Sequence, residues 1–253
     1  MGTPPTIKLK DGIVLVGSDL HIWPGVESVA LRGFKKFCKE LKPSAVILNG
    51  DVLDFPQISR HPPINWEDVP SPLEEIEAAQ YHLHAIEQAA PKGCRKIWTL
   101  GNHDARFEMR LAAIAREYRG LKGVHLSDHF NPCWEKGWSC EINASILVKH
   151  RWKGGVHAAY NNTLHSGWTT VTGHLHRAGI YQLTDKNGTR WGVDTGCMAE
   201  VGHPAFEYTE DNPKSWVSAF GVFTFKDGEL LWPELVTKYS EDAMLWRGKI
   251  IKV

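Results

Sequence analysis

The chain has 253 residues, of which 42% are hydrophobic, and it carries equal numbers of basic and acidic side chains, 29 of each. This length suffices for a large core, and we expect a single domain over residues 1–253. Zero net charge argues against a protein that coats duplex DNA. No apolar stretch approaches the ~20 residues that span a bilayer. The spacings of the five cysteines match no disulfide framework, which favours reduced cysteines, with a Cys133–Cys140 bridge as the alternative. We therefore expect a cytoplasmic protein, and the lack of a long apolar stretch predicts no membrane partner.

The first half of the chain alternates between short apolar strands and helices. Each predicted strand is an apolar run that ends at glycine or a polar residue: 13–16, 45–48 and 96–100. The predicted helices show apolar residues at helical spacing: 29–41, 72–90 and 105–118. Ser71 and Glu74 form a capping box at the start of the second helix. The proline-rich segment 55–72 is predicted to be an irregular loop.

From about residue 140 the pattern becomes rich in strands. The predicted strands are 142–148, 169–172, 179–183, 190–193, 217–225 and 229–235. Lys226-Asp227-Gly228 is typical of a hairpin turn between the last two. Strand–helix units therefore come first, and mainly strands follow.

Polar clusters follow the apolar strands at the carboxyl ends, where open α/β sheets bind ligands. The clusters are Asp19-Leu20-His21, Gly50-Asp51-Val52-Leu53-Asp54, Gly101-Asn102-His103-Asp104, His150 and Gly173-His174-Leu175-His176. Asp, His and Asn supply oxygen and nitrogen ligands for divalent cations. Together they predict two ions ~3.5–4 Å apart, the spacing used in phosphoryl chemistry. The glycines are expected to allow a sharp exit from each strand.

The ordered set of motifs resembles the calcineurin-like metallophosphoesterase superfamily over about residues 13–177. The resemblance implies an α/β fold, a four-layer α/β/β/α sandwich with two mixed β-sheets and flanking helices. It also implies that phosphate esters are hydrolysed by a hydroxide activated at a binuclear metal centre. The expected cofactors are two divalent metal ions, Mn²⁺ first, with Fe, Zn²⁺ or Ni²⁺ as alternatives. Compact members of the superfamily occur in bacteriophages, so a phage or bacterial source is expected.

The resemblance implies a role for each matching residue. One metal is expected to bind Asp19, His21 and His176, and the other Asn102, His150 and His174, with Asp51 between them. His103 is expected to be the general acid for the leaving oxygen, oriented by Asp104. Asp54 and Arg106 are candidates for contacts behind the ligands or with the substrate, and Arg106 has Glu108 or Glu117 as alternative partners.

The isolated histidine ligand is open to more than one interpretation. In the superfamily this histidine is usually followed by glycine, whereas Arg151 follows His150 here. His157 and His165 lie nearby and are alternatives. His150 is preferred because it ends an apolar strand, whereas His157 follows two glycines in an apparent loop.

The substrate is also open. A GNHD motif, and Phe55-Pro56 after Asp54 instead of the Asp-Arg-Gly of Ser/Thr phosphatases, favour a phosphodiesterase or nuclease acting on nucleotides or nucleic acid. A phosphomonoesterase acting on a small phosphorylated metabolite would use the same residues. A non-catalytic binding module of the same fold is the alternative from another class. The sequence leaves the oligomeric state unspecified.

Overall fold

A computed structural model of the protein describes residues 3–61, 66 and 68–253. Its strands, numbered in chain order, are β1 Thr6–Ile7, β2 Gly12–Gly17, β3 Ala45–Asn49, β4 Arg95–Thr99, β5 Trp134–Gly137, β6 Cys140–Ile142, β7 Ile146–Val148, β8 Thr169–Thr172, β9 Ala178–Asp185, β10 Gly188–Thr195, β11 Ala219–Lys226, β12 Glu229–Leu230, β13 Glu234–Ser240, β14 Ala243–Trp246 and β15 Lys249–Lys252. The α-helices are α1 Val29–Leu41, α2 Pro72–Ala89, α3 Ala105–Ile114 and α4 Ala158–Ser166.

The strands form two mixed sheets that pack face to face. One sheet has the order β1-β6-β7-β8-β10-β9, and the other has the order β15-β14-β13-β11-β2-β3-β4-β5, with β12 beside β11. Helix α4 packs on β8, β9 and β10, whereas α1 packs on the larger sheet and against α2. The predicted four-layer α/β/β/α sandwich is therefore confirmed. No helix in the described part of the chain is long and apolar enough to cross a membrane.

Strand β2 shows how the sequence builds these layers. Its side chains alternate between the two faces of the sheet, as in any strand. Leu15 faces the layer of α1, where Phe34 and Phe37 are buried. Val14 and Val16 face the other sheet and pack in the core between the two sheets. A run that is apolar on both faces is typical of a parallel strand covered on both sides.

Local interactions define both ends of helix α1. The hydroxyl of Ser28 accepts a hydrogen bond from the backbone N–H of Leu31 at 3.0 Å, which caps the first turn. Lys42 ends the helix in a left-handed conformation, and Pro43 follows. In α2 the predicted capping box is confirmed: Ser71 N–H donates to Glu74 at 2.8 Å, and Glu74 N–H donates to Ser71 at 3.3 Å.

Several predicted elements are wrong in extent. The predicted strand 142–148 is two strands, β6 and β7, because Asn143 and Ala144 take positive φ angles and turn the chain. The predicted strand 229–235 is likewise divided between β12 and β13. Helix α3 stops at Ile114, and Arg116–Tyr118 forms a separate 3-10 turn.

The predicted loop 55–72 contains a 3-10 turn, Pro56–Ile58, and its residues 62–65 and 67 lie outside the described residues. Strand β5, helix α4 and the final hairpin of β14 and β15 were not predicted from the sequence. The cysteines are free, as expected from their spacing.

Strand direction brings the polar motifs together. Strands β2, β3, β4 and β5 run parallel in the larger sheet. Strands β7, β8 and β10 run parallel in the smaller one. The loops after β2, β3, β4, β7 and β8 carry the predicted ligands, and all of them come to the same edge of the sandwich.

Candidate metal centre

Backbone hydrogen bonds join the loops that follow β2 and β3. Asp19 N–H donates to Gly50 O at 2.9 Å, and His21 N–H donates to Asp51 O at 3.0 Å. Five candidate ligands have backbone φ angles between 40° and 71°: Asp19, His21, Asp51, His174 and His176. Left-handed backbone in residues other than glycine is strained by about 1–3 kcal/mol and is concentrated at functional sites. The surrounding contacts therefore hold these residues in place at an energetic cost.

A first group of ligating side chains consists of Asp19, His21 and His176. Their ligand atoms all lie within 4.8 Å of one another, and all three residues are buried. His176 Nε2 lies 3.1 Å from Asp19 Oδ1 and 3.3 Å from His21 Nε2. One carboxylate oxygen and two imidazole nitrogens that converge in this way fit a divalent cation.

A second group consists of Asp51, His150 and His174, again with ligand atoms within 4.8 Å. His150 Nε2 lies 3.0 Å from Asp51 Oδ2 and 3.9 Å from Asp19 Oδ1. The two groups are therefore adjacent. Backbone N–H groups orient both carboxylates: His174 N–H donates to Asp19 Oδ2 at 2.8 Å, and His103 N–H donates to Asp51 Oδ1 at 2.8 Å.

Several buried polar atoms at this edge have no hydrogen-bond partner among the described residues. They are Asn102 Oδ1, His150 Nε2 and His176 Nδ1. A buried polar atom without a partner costs about 1–3 kcal/mol, so an unsatisfied atom needs a reason. Cation binding would supply that reason for Asn102 Oδ1 and His150 Nε2, which belong to the predicted ligand set.

Charge interactions shift the pKa values of these groups strongly. Burial alone would raise the pKa of Asp51, but the positive charge of His150 beside it holds it well below its usual range. Burial alone would lower the pKa of His150, but the carboxylates of Asp51 and Asp19 raise it to about 9. The opposite shifts of Asp51 and His150 show strong electrostatic coupling between buried carboxylates and imidazoles, which are the ligand types that divalent cations accept.

The carboxylate next to His103 is that of Asp54, and this corrects the assignment of Asp104 as the orienting residue. His103 Nδ1 lies 2.6 Å from Asp54 Oδ1, and His21 Nδ1 lies 3.0 Å from the same oxygen. Although burial alone lowers the pKa of His103, the Asp54 hydrogen bond raises it overall. Asp54 therefore fixes the ring orientation of both histidines.

Asp104 instead anchors the loops. Its carboxylate accepts hydrogen bonds from five donors: the N–H groups of Asp51, Val52, Leu53 and Gly101, and Trp98 Nε1, at 2.8–3.2 Å. Asp104 is fully buried. Short loops at strand ends expose several backbone donors at once, and one carboxylate satisfies those of two loops.

The three glycines that precede candidate ligands lie against the side chains of other candidate ligands, where a Cβ would not fit. A Cβ at Gly101 would lie 2.0 Å from Asp51 Oδ1, and one at Gly173 would lie 2.5 Å from Asp19 Oδ2. Gly50 is also close to a ligand, His150, and it alone of the three has a positive φ, 81°. The expected sharp turn after the strand therefore explains the glycine at Gly50. Gly101 and Gly173 are explained by the space that the carboxylates of Asp51 and Asp19 need.

The alternative histidines lie apart from the two groups. His157 and His165 are exposed at the start and in the last turn of α4, whereas His150 is buried beside Asp51. Arg106 makes neither of its alternative ion pairs with Glu108 or Glu117. Its Nη1 donates to Asp54 O at 2.6 Å, and its Nη2 lies 3.4 Å from His103 Nε2.

Glu75 of α2, a fully buried residue, supports the site and was not predicted from the sequence. Oε2 of Glu75 accepts hydrogen bonds from Asp54 N–H at 3.0 Å and Phe55 N–H at 2.8 Å. The available signal was its helical spacing with the buried residues Ala79 and Leu83. A carboxylate on an apolar helix face indicates a specific partner.

Two aromatic residues near the first group were also missed. Phe206 stacks edge-on against His21, with ring centroids 5.4 Å apart, and Trp216 stacks edge-on against His176 at 4.3 Å. Both lie in the segment between β10 and β11, whose sequence has no polar motif from which a contact with the site could be predicted.

A four-layer sandwich with adjoining Asp and His groups at the carboxyl edge of its strands defines the class of metal-dependent phosphoesterases. The profile of the calcineurin-like phosphoesterase family matches residues 13–195, and the chain belongs to this family. The Gene 54 protein of Mycobacterium phage D29 is 25% identical over 264 residues, which cover 92% of this chain and 98% of that protein. The Gene 54 protein of Mycobacterium phage L5 is 24% identical over 266 residues, with the same coverage.

A solved structure with a similar chain path is that of wild-type Vps29 from Entamoeba histolytica complexed with Zn²⁺. It covers 94% of this chain and 95% of its own, at 13% sequence identity and a TM-score of 0.47.

Proposed function

We propose that the protein is a metal-dependent phosphodiesterase that acts on nucleotides or nucleic acid. The observation that supports this most is the pair of adjoining ligand groups, in which His150 Nε2 lies within 3.9 Å of both Asp19 and Asp51. Two cation sites that share a boundary are the arrangement used for in-line displacement at phosphorus.

In this proposal Asp19, His21 and His176 would hold one cation, Asn102, His150 and His174 would hold the other, and Asp51 would serve both sites. When bound, the two cations would supply Lewis acidity that activates a water molecule and neutralises charge on the phosphate. The protein's contribution is to hold the ligands rigidly through the strained loops and their backbone hydrogen bonds.

His103 is proposed as the general acid. Asp54 contacts its Nδ1, which leaves Nε2 on the side of Asp51, 3.9 Å from Oδ2. Burial alone would lower the pKa of His103, but the hydrogen bond to Asp54 raises it overall, which favours the protonated ring that a general acid requires. Donation of that proton from Nε2 to a departing alkoxide would accelerate cleavage by ~10²–10⁴-fold.

Arg106 is proposed to bind a non-bridging oxygen of the substrate. Its guanidinium is held by Asp54 O and lies 3.4 Å from His103 Nε2. A fixed guanidinium presents paired N–H donors that match phosphate geometry.

The test is turnover of bis-p-nitrophenyl phosphate and p-nitrophenyl phosphate by metal-free protein reconstituted with Mn²⁺, Zn²⁺, Ni²⁺ or Fe²⁺. We expect the diester to have the higher kcat/KM, and His157→Ala, at an exposed histidine, to match the wild type. A higher kcat/KM for the monoester would support the phosphomonoesterase alternative. Metal binding without turnover of either substrate would support a non-catalytic binding module.

A further inference from the structure

A strongly basic stretch of surface begins at the candidate site. Residues 105–122, here called the cationic arm, contain five Arg or Lys and two Glu, although the whole chain has zero net charge. The cationic residues are Arg106, Arg110, Arg116, Arg119 and Lys122. Helix α3, which forms the first part of the arm, has no buried residue. The positive charge is therefore displayed to solvent.

Most of these charges have no ion-pair partner among the described residues. In the part of the chain that the structure describes, no carboxylate lies within 4.0 Å of the cationic groups of Arg110, Arg116, Arg119 or Lys122. Glu108 of the arm contacts His125 instead, at 3.5 Å. Uncompensated charges of one sign attract a polyanion and raise its rate of association.

The arm also exposes large apolar side chains among its charges. Met109 is 64% exposed, Ile114 63%, Leu121 57% and Tyr118 52%. Apolar and aromatic side chains interleaved with cations match a ligand that has both phosphates and flat apolar faces. A single nucleic-acid strand presents its base faces in this way, whereas a duplex keeps them stacked inside.

The geometry connects the arm directly to the reaction site. Arg106, at the start of the arm, lies between Asp54 O at 2.6 Å and His103 Nε2 at 3.4 Å. The ten residues of α3 extend about 15 Å from there, at 1.5 Å per residue. A chain bound along the arm would therefore have one of its phosphates near His103.

We propose that the cationic arm binds a single-stranded polynucleotide and delivers its phosphodiester bonds to the metal centre. This rests on the proposed phosphodiesterase activity and specifies its substrate as a polymer. Arg110, Arg116 and Arg119 contact backbone phosphates, and Tyr118 packs against a base.

The test uses the triple variant Arg110→Gln/Arg116→Gln/Arg119→Gln in the full-length, metal-loaded protein. Its matched control is Lys39→Gln/Lys92→Gln/Lys186→Gln, which removes the same charge at exposed positions. These three follow or end α1, α2 and β9, at the opposite edge of the sandwich from the metal centre. The kinetics of a single-stranded oligonucleotide, a duplex of the same sequence and bis-p-nitrophenyl phosphate are measured over a range of NaCl concentrations.

We expect the arm variant to cleave the single strand with kcat/KM lowered roughly tenfold or more, mainly through KM. Each lost phosphate contact should reduce the slope of log kcat/KM against log salt by about 0.7, so the three together reduce it by about 2. Turnover of bis-p-nitrophenyl phosphate should stay unchanged, and the control variant should behave as the wild type. Equal melting temperatures show that all variants are folded.

Three outcomes would overturn the proposal. One is single-strand cleavage with the same KM and salt slope in the arm variant and the wild type. Another is a preference for the duplex. The third is that the wild type, but not the arm variant, sediments with vesicles of anionic phospholipid, while both proteins cleave the oligonucleotide equally. This result would make the arm a membrane-binding element. Failure of the wild type to cleave bis-p-nitrophenyl phosphate would instead refute the phosphodiesterase activity itself.

Discussion

Replacement of Asp104 separates two interpretations of the GNHD motif. If Asp104 oriented His103, Asp104→Asn would lower kcat and leave the fold stable. The structure instead gives its carboxylate five hydrogen-bond donors and places Asp54 beside His103. We therefore expect Asp104→Asn to act first on the free energy of unfolding.

The size of this effect follows from the arrangement of the donors. Oδ2 of Asp104 accepts from Asp51 N–H, Gly101 N–H and Trp98 Nε1, whereas Oδ1 accepts from Val52 N–H and Leu53 N–H. An asparagine oxygen can replace Oδ2, which leaves the other two donors facing its NH₂ group. At 1–3 kcal/mol for each of the two unsatisfied buried donors, the expected loss is about 2–6 kcal/mol. Asp104→Ala would lose more, a large share of a typical total stability of ~5–15 kcal/mol.

The assay is urea unfolding of the metal-free protein, followed by circular dichroism. The control is Asp128→Asn, because Asp128 also accepts from two backbone N–H groups, those of Gly123 and His125, but on the exposed surface of a 3-10 turn, Leu126–His129. We expect this control to lose less than about 1 kcal/mol. Wild-type stability in Asp104→Asn, together with a loss of kcat, would refute the loop-anchoring role and restore the orienting one.

Three further predictions concern catalysis and pH. Asp51→Asn and His103→Ala should each lower kcat by at least ~10²-fold while far-UV circular dichroism stays unchanged; full activity in either variant would contradict its assigned role. Asp54→Asn should lower kcat more for alkyl than for p-nitrophenyl leaving groups, because alkoxides depend more on the His103 proton; equal losses would argue against orientation of His103 by Asp54. Burial raises the pKa of Glu75 from 4.5 to about 8, so between these pH values the folded state keeps a proton that the unfolded state releases. The free energy of unfolding should therefore fall as the pH rises from ~5 to 8, by up to about 1.4 kcal/mol per pH unit. Glu75→Gln should therefore gain stability relative to the wild type as pH rises over this window in urea titrations, and a constant difference would show that the Glu75 pKa is not raised.

The sequence predicted the elements that have a local cause. Helix α1 and strand β8 have their predicted bounds because apolar spacing and stop signals agree there. The ligand groups were predictable because each lies directly after an apolar strand, and parallel strands bring their carboxyl ends to one edge. Strands β14 and β15 were missed because their residues are partly exposed and carry no strict alternation.

The contacts that support the ligands were not predictable from local pattern. Asp54 and Asp104 both follow apolar strands within acidic motifs, and only the three-dimensional path of the loops shows which one faces His103. Glu75 lies 21 residues from the backbone that it holds. Phe206 and Trp216 reach His21 and His176 from a segment without a polar motif. Such long-range pairings depend on tertiary packing, which sequence spacing does not encode.

If the proposed metal centre is right, Asp51 lies between two cations bound at one edge of the sandwich. The most direct measurement is the anomalous scattering of crystals grown with Mn²⁺, combined with the metal content of the dissolved protein. We expect two Mn²⁺ ions per chain, ~3.5–4 Å apart, on either side of the Asp51 carboxylate. A single peak, or peaks remote from His150 and His176, would contradict the account.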